Sequence, residues 1–343
     1  MNKRKKMIYG IIASTAMLII ILDGGNAANS IKVGIDLCLC TVIPALFPFF
    51  VLSGVINSCL IGQRIPLTAP LHRICRIPTG AESILLIGMI SGYPIGAQLV
   101  TEAYTLGALS KNDARRMLGF CSNAGPSFFF GILASVFTKP IISWILWGIH
   151  IISALITAYL LPGESTDNCK IPYKETITIS KSLTSAIQHI AVVCGWVVLF
   201  RLILGFINKW IVCFLPNELQ VLISGCVELS NGCILLNQIQ CEGARFLLAS
   251  IMLAIGGLCV AMQTVSVTGK LGTGFYFPGK LMQMLISLTI SCILQPLLFK
   301  GNDLYYIPNA YQILFWVFTF IIAYFIRKKV VAFGRRMLYN TGN

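Results

Sequence analysis

Charged side chains are scarce in this sequence. Asp, Glu, Lys and Arg make up 11% of its 343 residues, whereas a soluble domain carries about 25%. Hydrophobic residues make up 56% and the mean hydropathy is +0.81, so polar groups are too few to cover a surface in water. The composition excludes an ordinary soluble domain and a disordered scaffold. It predicts a polytopic integral membrane protein in a lipid bilayer.

Acidic residues are the scarcer of the two charged classes. The 26 Lys and Arg against 12 Asp and Glu give a formal net charge of +14, which in a soluble protein would suggest nucleic-acid binding. Here most of the basic residues lie between apolar runs, which is typical of the cytoplasmic loops of membrane proteins. We therefore expect no nucleic-acid partner.

Motifs for catalysis, metal binding and redox chemistry are absent from the sequence. It contains no H-E-x-x-H, no Walker loop, no G-x-S-x-G and no dinucleotide fingerprint. Its 13 cysteines are scattered, without a C-x-x-C pair, and in apolar runs cysteine behaves as a small hydrophobic residue. We therefore expect no enzyme, no catalytic residue, no metal and no cofactor.

Apolar stretches of membrane-spanning length divide the chain. After a basic N-terminus, the run 7–22 predicts a retained first span with its basic end inside, although a cleaved signal peptide has a similar pattern. Crossing a ~30 Å core takes about 20 residues. Stretches near that length lie at 33–56, 117–137, 141–161, 186–207, 246–267, 281–299 and 310–326. With the first run they predict an all-α polytopic membrane protein of about eight transmembrane helices.

Two further apolar stretches, 81–109 and 219–240, are interrupted. The first contains S-G-Y-P-I-G at 91–96, and the second contains E-L-S-N-G at 228–232. Gly and Pro break helices, and a broken backbone at membrane depth is tolerated only where protein or water covers it. Both stretches are therefore predicted to be re-entrant helical hairpins.

The distribution of basic residues supports this topology. If both interrupted stretches re-enter, most of the 26 Lys and Arg fall on the inside, Lys280 among them. Treating 81–109 as a crossing moves Lys111, Arg115 and Arg116 outside instead. The positive-inside rule therefore favours two hairpins and places both termini in the cytoplasm of a multi-pass cell-membrane protein.

A weak internal repeat accompanies the hairpins. G-V-I-N at 54–57 recurs as G-F-I-N at 205–208, and S-G at 91–92 recurs at 224–225. Weak inverted repeats built around broken helices point to a secondary transporter with its site at the repeat interface. The predicted division is a basic segment and first span at 1–29, a first repeat plus a connecting span at 30–161, a cytoplasmic loop at 162–182, a second repeat at 183–267, and two C-terminal spans with a basic tail at 268–343.

Two proline motifs are predicted to start half-helices inside the membrane. Proline suits the first turn of a helix, so S-G-Y-P at 91–94 and N-A-G-P-S at 123–127 would point free N–H groups and a positive dipole end at a cavity. That geometry suits an anion or a polar ring, and a kink satisfied by neighbouring helices is the alternative. The candidate substrate-binding residues are Ser91, Gly92, Tyr93, Pro94, Gln98, Asn123, Gly125, Pro126, Ser127, Arg201, Glu228 and Asn231.

Arg201 and Glu228 are the charged members of this set. Ionisable residues inside a membrane are rare and are functional hypotheses by default. Arg201 lies in an apolar run, so it needs a carboxylate, a bound anion or a route to the interface. An ion pair with Glu228 and the binding of an anion are both open at this point.

Three motifs carry a family resemblance. I-P-A-L-F-P-F-F at 43–50, S-G-Y-P-I-G-A at 91–97 and G-F-C-S-N-A-G-P at 119–126 resemble the YlbJ-type stage V sporulation integral membrane proteins, which carry a nucleoside-recognition or Gate domain. The resemblance is strongest over about residues 30–160. It implies a mother-cell membrane protein implicated in export of dipicolinic acid toward the forespore. It also implies a distant relation to concentrative nucleoside transporters, which use two re-entrant hairpins in inverted repeats.

The leading functional expectation is a transporter or facilitator of a small anionic solute such as dipicolinate. The solute comes from the resemblance, whereas the membrane, the repeat and the half-helix starts come from the residues. A non-transporting assembly or signalling partner and a nucleoside-type transporter are the alternatives. A coupling ion, a homo-oligomer and other sporulation membrane proteins are partners that the sequence leaves open.

Overall fold

The computed structural model describes residues 3–60, 69–163 and 178–305. No β-strand occurs in these ranges, which form fourteen α-helices. They are α1 (Lys3–Leu22), α2 (Gly24–Leu37), α3 (Ile43–Leu60), α4 (Ala69–Cys75), α5 (Glu82–Ser91), α6 (Ile95–Thr105), α7 (Lys111–Cys121), α8 (Ile141–Leu160), α9 (Ile179–Trp210), α10 (Asn217–Val227), α11 (Leu229–Leu235), α12 (Glu242–Ile255), α13 (Gly257–Thr268) and α14 (Tyr276–Leu298). The prediction of an all-α polytopic protein is confirmed at this level.

Five helical segments in the described ranges are long and apolar enough to cross a membrane. They are Gly24–Ile56, Ile141–Leu160, Ile179–Trp210, Glu242–Leu271 and Tyr276–Leu298. The first joins α2 to α3 through a π-helical turn at Cys38–Val42. Met7–Leu22 is a shorter apolar helix. The predicted span at 310–326 lies outside the described residues.

Both interrupted stretches fold back on themselves. A Cβ built on Gly88 of α5 would lie 3.2 Å from Cα of Gly96 in α6, although eight residues of continuous helix would separate them by about 12 Å. In the same way, a Cβ on Gly232 of α11 would lie 2.6 Å from the backbone N of Gly225 in α10. The pairs α5–α6 and α10–α11 are therefore helical hairpins, which we call hairpin 1 and hairpin 2.

A broken helical segment follows each hairpin. α7 begins at the cap Ser110, whose Oγ accepts from the N–H of Asp113 at 3.1 Å. It ends at Cys121, and after residues 122–126 a π-helical segment runs over Ser127–Ile132. α12 ends at Ile255, and the residue that caps it, Gly256, has φ +78°, a left-handed conformation that glycine adopts without strain. We call residues 122–126 and 256–257 break 1 and break 2.

α14 packs against α7, α8 and α12. Its first turns are fixed on α7, because the N–H of Phe275 donates to the carbonyl of Arg115 at 2.9 Å and a Cβ on Gly279 would overlap the backbone of Gly119. These two contacts hold Lys280 in the interior, where it is 2% exposed. The prediction that Lys280 lies in a cytoplasmic loop is therefore wrong, since the chain is already helical from Tyr276 onward.

Candidate functional site

Each hairpin tip rests on the break of the broken segment that follows it. In the first half, Gly92 has φ +80° and a Cβ there would lie 2.9 Å from the N of Gly125. In the second half, a Cβ on Gly257 would lie 2.8 Å from the carbonyl oxygen of Gly225. Real Cβ contacts are essentially never below 3.0 Å, so at both places backbone meets backbone with no room for a side chain. These contacts bring the helix ends at each hairpin tip close to the helix ends at the break, and helix ends carry backbone N–H and C=O groups that have no partner within the helix.

A buried lysine lies where hairpin 1 meets break 1. The Nζ of Lys280 is 2.8 Å from Oε1 of Gln283, 3.3 Å from Oη of Tyr93 and 3.4 Å from Oδ1 of Asn123. The same Nζ is 5.1 Å from the centroid of the Tyr93 ring, within the range of a cation–π contact. Three oxygens from hairpin 1, break 1 and α14 therefore surround one ammonium group. We call Tyr93, Asn123, Lys280 and Gln283 the lysine cluster.

Neighbouring groups fix the orientation of this cluster. Nε2 of Gln283 donates to Oδ1 of Asn123 at 3.0 Å and to the carbonyl of His150 at 3.3 Å. Nδ2 of Asn123 donates to the carbonyl of Phe120 at 2.7 Å. Nε2 of His150 accepts from the N–H of Ala124 in break 1 at 3.1 Å, so it is the ring nitrogen without a proton. Both amide side chains therefore turn their oxygens toward the lysine.

The charge of Lys280 has no acidic partner in the described ranges. No described ion pair within 4.0 Å involves Lys280, whereas Lys209 pairs with Asp23, and the three oxygens around Lys280 are all neutral. Removing an ammonium group from water costs several kcal/mol unless an opposite charge compensates it. Buried charges that remain unpaired in membrane segments commonly mark ion or substrate pathways.

Hairpin 2 carries a buried carboxylate at its tip. Glu228 is 2% exposed, and its oxygens accept from the backbone N–H of Ser230 at 3.0 Å and of Asn231 at 2.7 Å. This side chain therefore caps α11, and the positive end of the helix dipole stabilises its charge. The whole arrangement lies within hairpin 2.

Arg201 and Glu228 form no ion pair within 4.0 Å in the structure, so one of the two alternatives left open for Arg201, a contact ion pair with Glu228, is not seen. Arg201 lies on α9, where its side-chain stem packs on α2. A Cβ on Gly34 would lie 3.2 Å from Cβ of Arg201. Its Nε is buried without a hydrogen-bond partner. The role of Arg201 as an anion anchor stays a prediction.

A small cavity lies between the two hairpin tips. Its volume is about 10 Å³, which is room for about one water molecule. Most of its wall is apolar, and a few polar groups project into it, as in many small-molecule sites. The lining residues are Leu46, Tyr93, Phe128, Val193, Val197, Glu228, Leu229, Ser230, Cys259, Val260 and Gln263.

The structure brings only part of the predicted site together. Tyr93 belongs to both the lysine cluster and the cavity wall. Asn123 belongs to the lysine cluster, and Glu228 belongs to the cavity wall. Gly92 and Gly125 form the contact at break 1, and the helices restart after Pro94 and Pro126 as predicted. The other predicted residues that do not line the cavity are Ser91, Gln98, Ser127, Arg201 and Asn231.

Sequence reasoning missed Lys280 and Gln283. Their spacing of three residues puts them on one helix face, and that was the one local indication available.

Comparison with known proteins gives one curated relative. The chain is similar to the sporulation integral membrane protein YlbJ of Bacillus subtilis (strain 168), with 23% identity over 322 residues, which covers 80% of this chain and 79% of that protein. This similarity confirms the resemblance to YlbJ-type proteins. No protein-family model matches the chain, and no solved structure matches it. The nucleoside-recognition domain therefore stays an expectation.

Proposed function

We propose that this protein is a sporulation-associated membrane transporter or facilitator of a small anionic solute, which passes between the tips of the two hairpins. The single observation that carries the proposal is the buried ammonium of Lys280, 3.3 Å from the Tyr93 hydroxyl and without a described carboxylate partner. A negatively charged solute arriving at the hairpin tips would supply the missing counter-charge.

The arrangement of the elements supports a transport path at this place. α3, hairpin 1 and the segment interrupted by break 1 have the same order as α9, hairpin 2 and the segment interrupted by break 2. We interpret them as two inverted repeats, with the hairpins re-entering the membrane, because broken helices at a repeat interface are the usual site of secondary transporters. α6 also packs on α13, and α11 packs on the π-helical segment after break 1, so each hairpin contacts the other repeat.

The proposed solute is dipicolinate. Its carboxylates would complement the charge of Lys280, and its aromatic ring is suited to the side chains of Tyr93 and Phe128 in the cavity wall. The similarity to a sporulation protein supports a solute that endospore formation requires. We place the protein in a cell membrane with both termini in the cytoplasm.

Access to the cavity requires movement of a hairpin. A space of about 10 Å³ is far below the roughly 300 Å³ of a small ligand site. Displacing a hairpin tip from its break would open the cavity toward one side of the membrane, which is the motion expected for alternating access.

A nucleoside-type transporter is the second candidate, and the charge of hairpin 2 favours it. Glu228, Ser230 and Gln263 line the cavity, and a carboxylate with neighbouring hydroxyl and amide groups suits a neutral solute bearing hydroxyls better than an anion.

Uptake by liposomes that contain only the purified protein tests the proposal. We expect saturable uptake of radiolabelled dipicolinate that is lost in Lys280→Ala and kept in Lys270→Ala, since Lys270 is an exposed lysine near α14. Uptake of uridine but not of dipicolinate would favour the second candidate. Uptake of neither by a well-folded protein would indicate a non-transporting membrane partner.

A further inference from the structure

We infer that the ammonium group of Lys280 is a built-in cation that occupies the place of a coupling ion, so that transport requires neither Na⁺ nor K⁺. This inference rests on the proposed function and specifies its coupling.

The geometry around Lys280 is that of a cation site. Secondary transporters bind their coupling cations with oxygens gathered at unwound segments of broken helices. Here Asn123 of break 1, Tyr93 of hairpin 1 and Gln283 of α14 place three oxygens 2.8–3.4 Å from one nitrogen. The three residues are far apart in the chain, so the folded structure assembles the set.

The numbers of hydrogen-bond donors, acceptors and charges around Lys280 also fit a cation site. An ammonium group has three N–H donors, and the three oxygens can accept all of them. All three acceptors are neutral, so a protonated Lys280 gives the site a net charge of +1, the same charge that a bound monovalent metal ion would give it. A second cation at these oxygens would meet a like charge at contact distance, which the buried environment does not screen.

The alternative is that Lys280 serves only as a hydrogen-bonding link between hairpin 1, break 1 and α14. Such a link would need donors at that position but no charge, and it would give the oxygens no affinity for metal ions. Measurements that respond to charge and to ion identity therefore separate the two roles.

Thermal unfolding of the purified protein in detergent is the first test, and it requires no transport. We expect the wild-type protein to have the same Tm in NaCl, KCl and choline chloride at equal ionic strength. Lys280→Ala should unfold at lower temperature and should be stabilised by Na⁺ or K⁺ relative to choline by about 3 °C or more, the shift expected for a ligand at about ten times its Kd. Lys270→Ala, which removes an exposed lysine, should match the wild type.

Two results of this test would overturn the inference. One is a selective rise in the Tm of the wild-type protein with Na⁺ or K⁺. The other is a folded Lys280→Ala protein that does not respond to either ion, because the oxygens would then form no cation site.

Transport under ion replacement is the second test. Dipicolinate uptake by wild-type proteoliposomes should keep its rate when choline replaces Na⁺ and K⁺ on both sides, and a loss of about tenfold or more would overturn the inference while leaving the proposed function intact. Uptake absent in every salt would instead contradict the proposed function, and the unfolding test would still decide the role of Lys280.

Asn123→Asp keeps the inference testable if Lys280→Ala does not fold. The variant puts a carboxylate beside Lys280 and cancels its charge while keeping an acceptor oxygen. We expect solute affinity to fall by about tenfold or more, whereas Asn217→Asp at the exposed start of α10 should have no effect. Wild-type affinity in a folded Asn123→Asp protein would overturn the inference.

Discussion

The tips of hairpin 1 and hairpin 2 both pack on a helix break, but they lie beside side chains of opposite charge. Both rest on a helix break through glycine contacts too close for a side chain. Hairpin 1 has no charged residue at its tip and receives the ammonium of Lys280 from α14, whereas hairpin 2 carries the carboxylate of Glu228. Two similar hairpins therefore need not carry the same charge.

Lys280 and Glu228 also differ in the structural elements to which they are hydrogen-bonded. Lys280 joins hairpin 1 to break 1 and α14, so the tip of hairpin 1 is tied to two other elements. The hydrogen bonds of Glu228 stay within hairpin 2. Hairpin 2 can therefore move as a unit without breaking the bonds of its charge, and we expect it to be the moving gate.

Of the substitutions at the two hairpins, Gly92→Val should have the largest effect on transport and stability. A β-branched residue at φ +80° costs about 1–3 kcal/mol of backbone strain, and overpacking against Gly125 adds about 1–3 kcal/mol. We expect a protein that inserts into membranes but loses transport and unfolds at lower temperature, and we expect Gly125→Val to behave alike. Gly148→Val is the control, because a Cβ at Gly148 meets nothing within 4 Å. A Gly92→Val protein with wild-type uptake would contradict the tight tip contact.

A smaller effect is expected from the matching change in hairpin 2. A Cβ on Gly225 would first meet the Sδ of Met252, the end region of a flexible side chain that can move aside. Gly225→Ala should therefore destabilise the protein by less than about 1.5 kcal/mol, measured by thermal unfolding beside Gly92→Ala. If the two alanine variants rank in the opposite order, hairpin 2 is the more tightly held of the two.

Neutralising the carboxylate should have a modest effect on stability and a distinct effect on selectivity. Gln at position 228 can still accept one hydrogen bond, so Glu228→Gln should cost about 0.5–2 kcal/mol as a weakened cap. Because the change removes a negative charge from the cavity wall, we expect tighter binding of an anionic solute and weaker binding of a hydroxylated neutral one. Weaker dipicolinate binding in this variant would contradict the opposite-charge comparison.

The smallest expected effect is the coupling between Arg201 and Glu228. Since the structure shows no ion pair between them within 4.0 Å, the destabilisation from Arg201→Gln and Glu228→Gln should add in the double variant within about 0.5 kcal/mol. Recovery of stability in the double variant would show that the two side chains do pair. Weaker solute binding in a stable Arg201→Gln protein would support its role as an anchor.

The hairpins and breaks could be predicted because their causes are local. Proline at 94 and 126, with glycine beside each, ends one helix and starts another whatever lies around it. The cap at Glu228 is local as well, since its carboxylate accepts from N–H groups two and three residues ahead, whereas the only partner predicted for it was the distant Arg201.

The place of Lys280 could not be predicted in this way. Counting charges assigned it to a basic loop, whereas the contact of Gly279 with Gly119 turns it into the core. That contact joins residues from distant parts of the chain, so no local pattern indicates it. The absence of an Arg201–Glu228 ion pair is equally a product of tertiary packing.

Binding of dipicolinate to the purified protein, measured by calorimetry, tests the central claim most directly. If the unpaired charge of Lys280 attracts the solute, Lys280→Ala should weaken binding by about 1.5–3 kcal/mol, roughly 10–150-fold, while Lys270→Ala binds as the wild type does. A folded Lys280→Ala protein that binds dipicolinate with wild-type affinity would contradict the account.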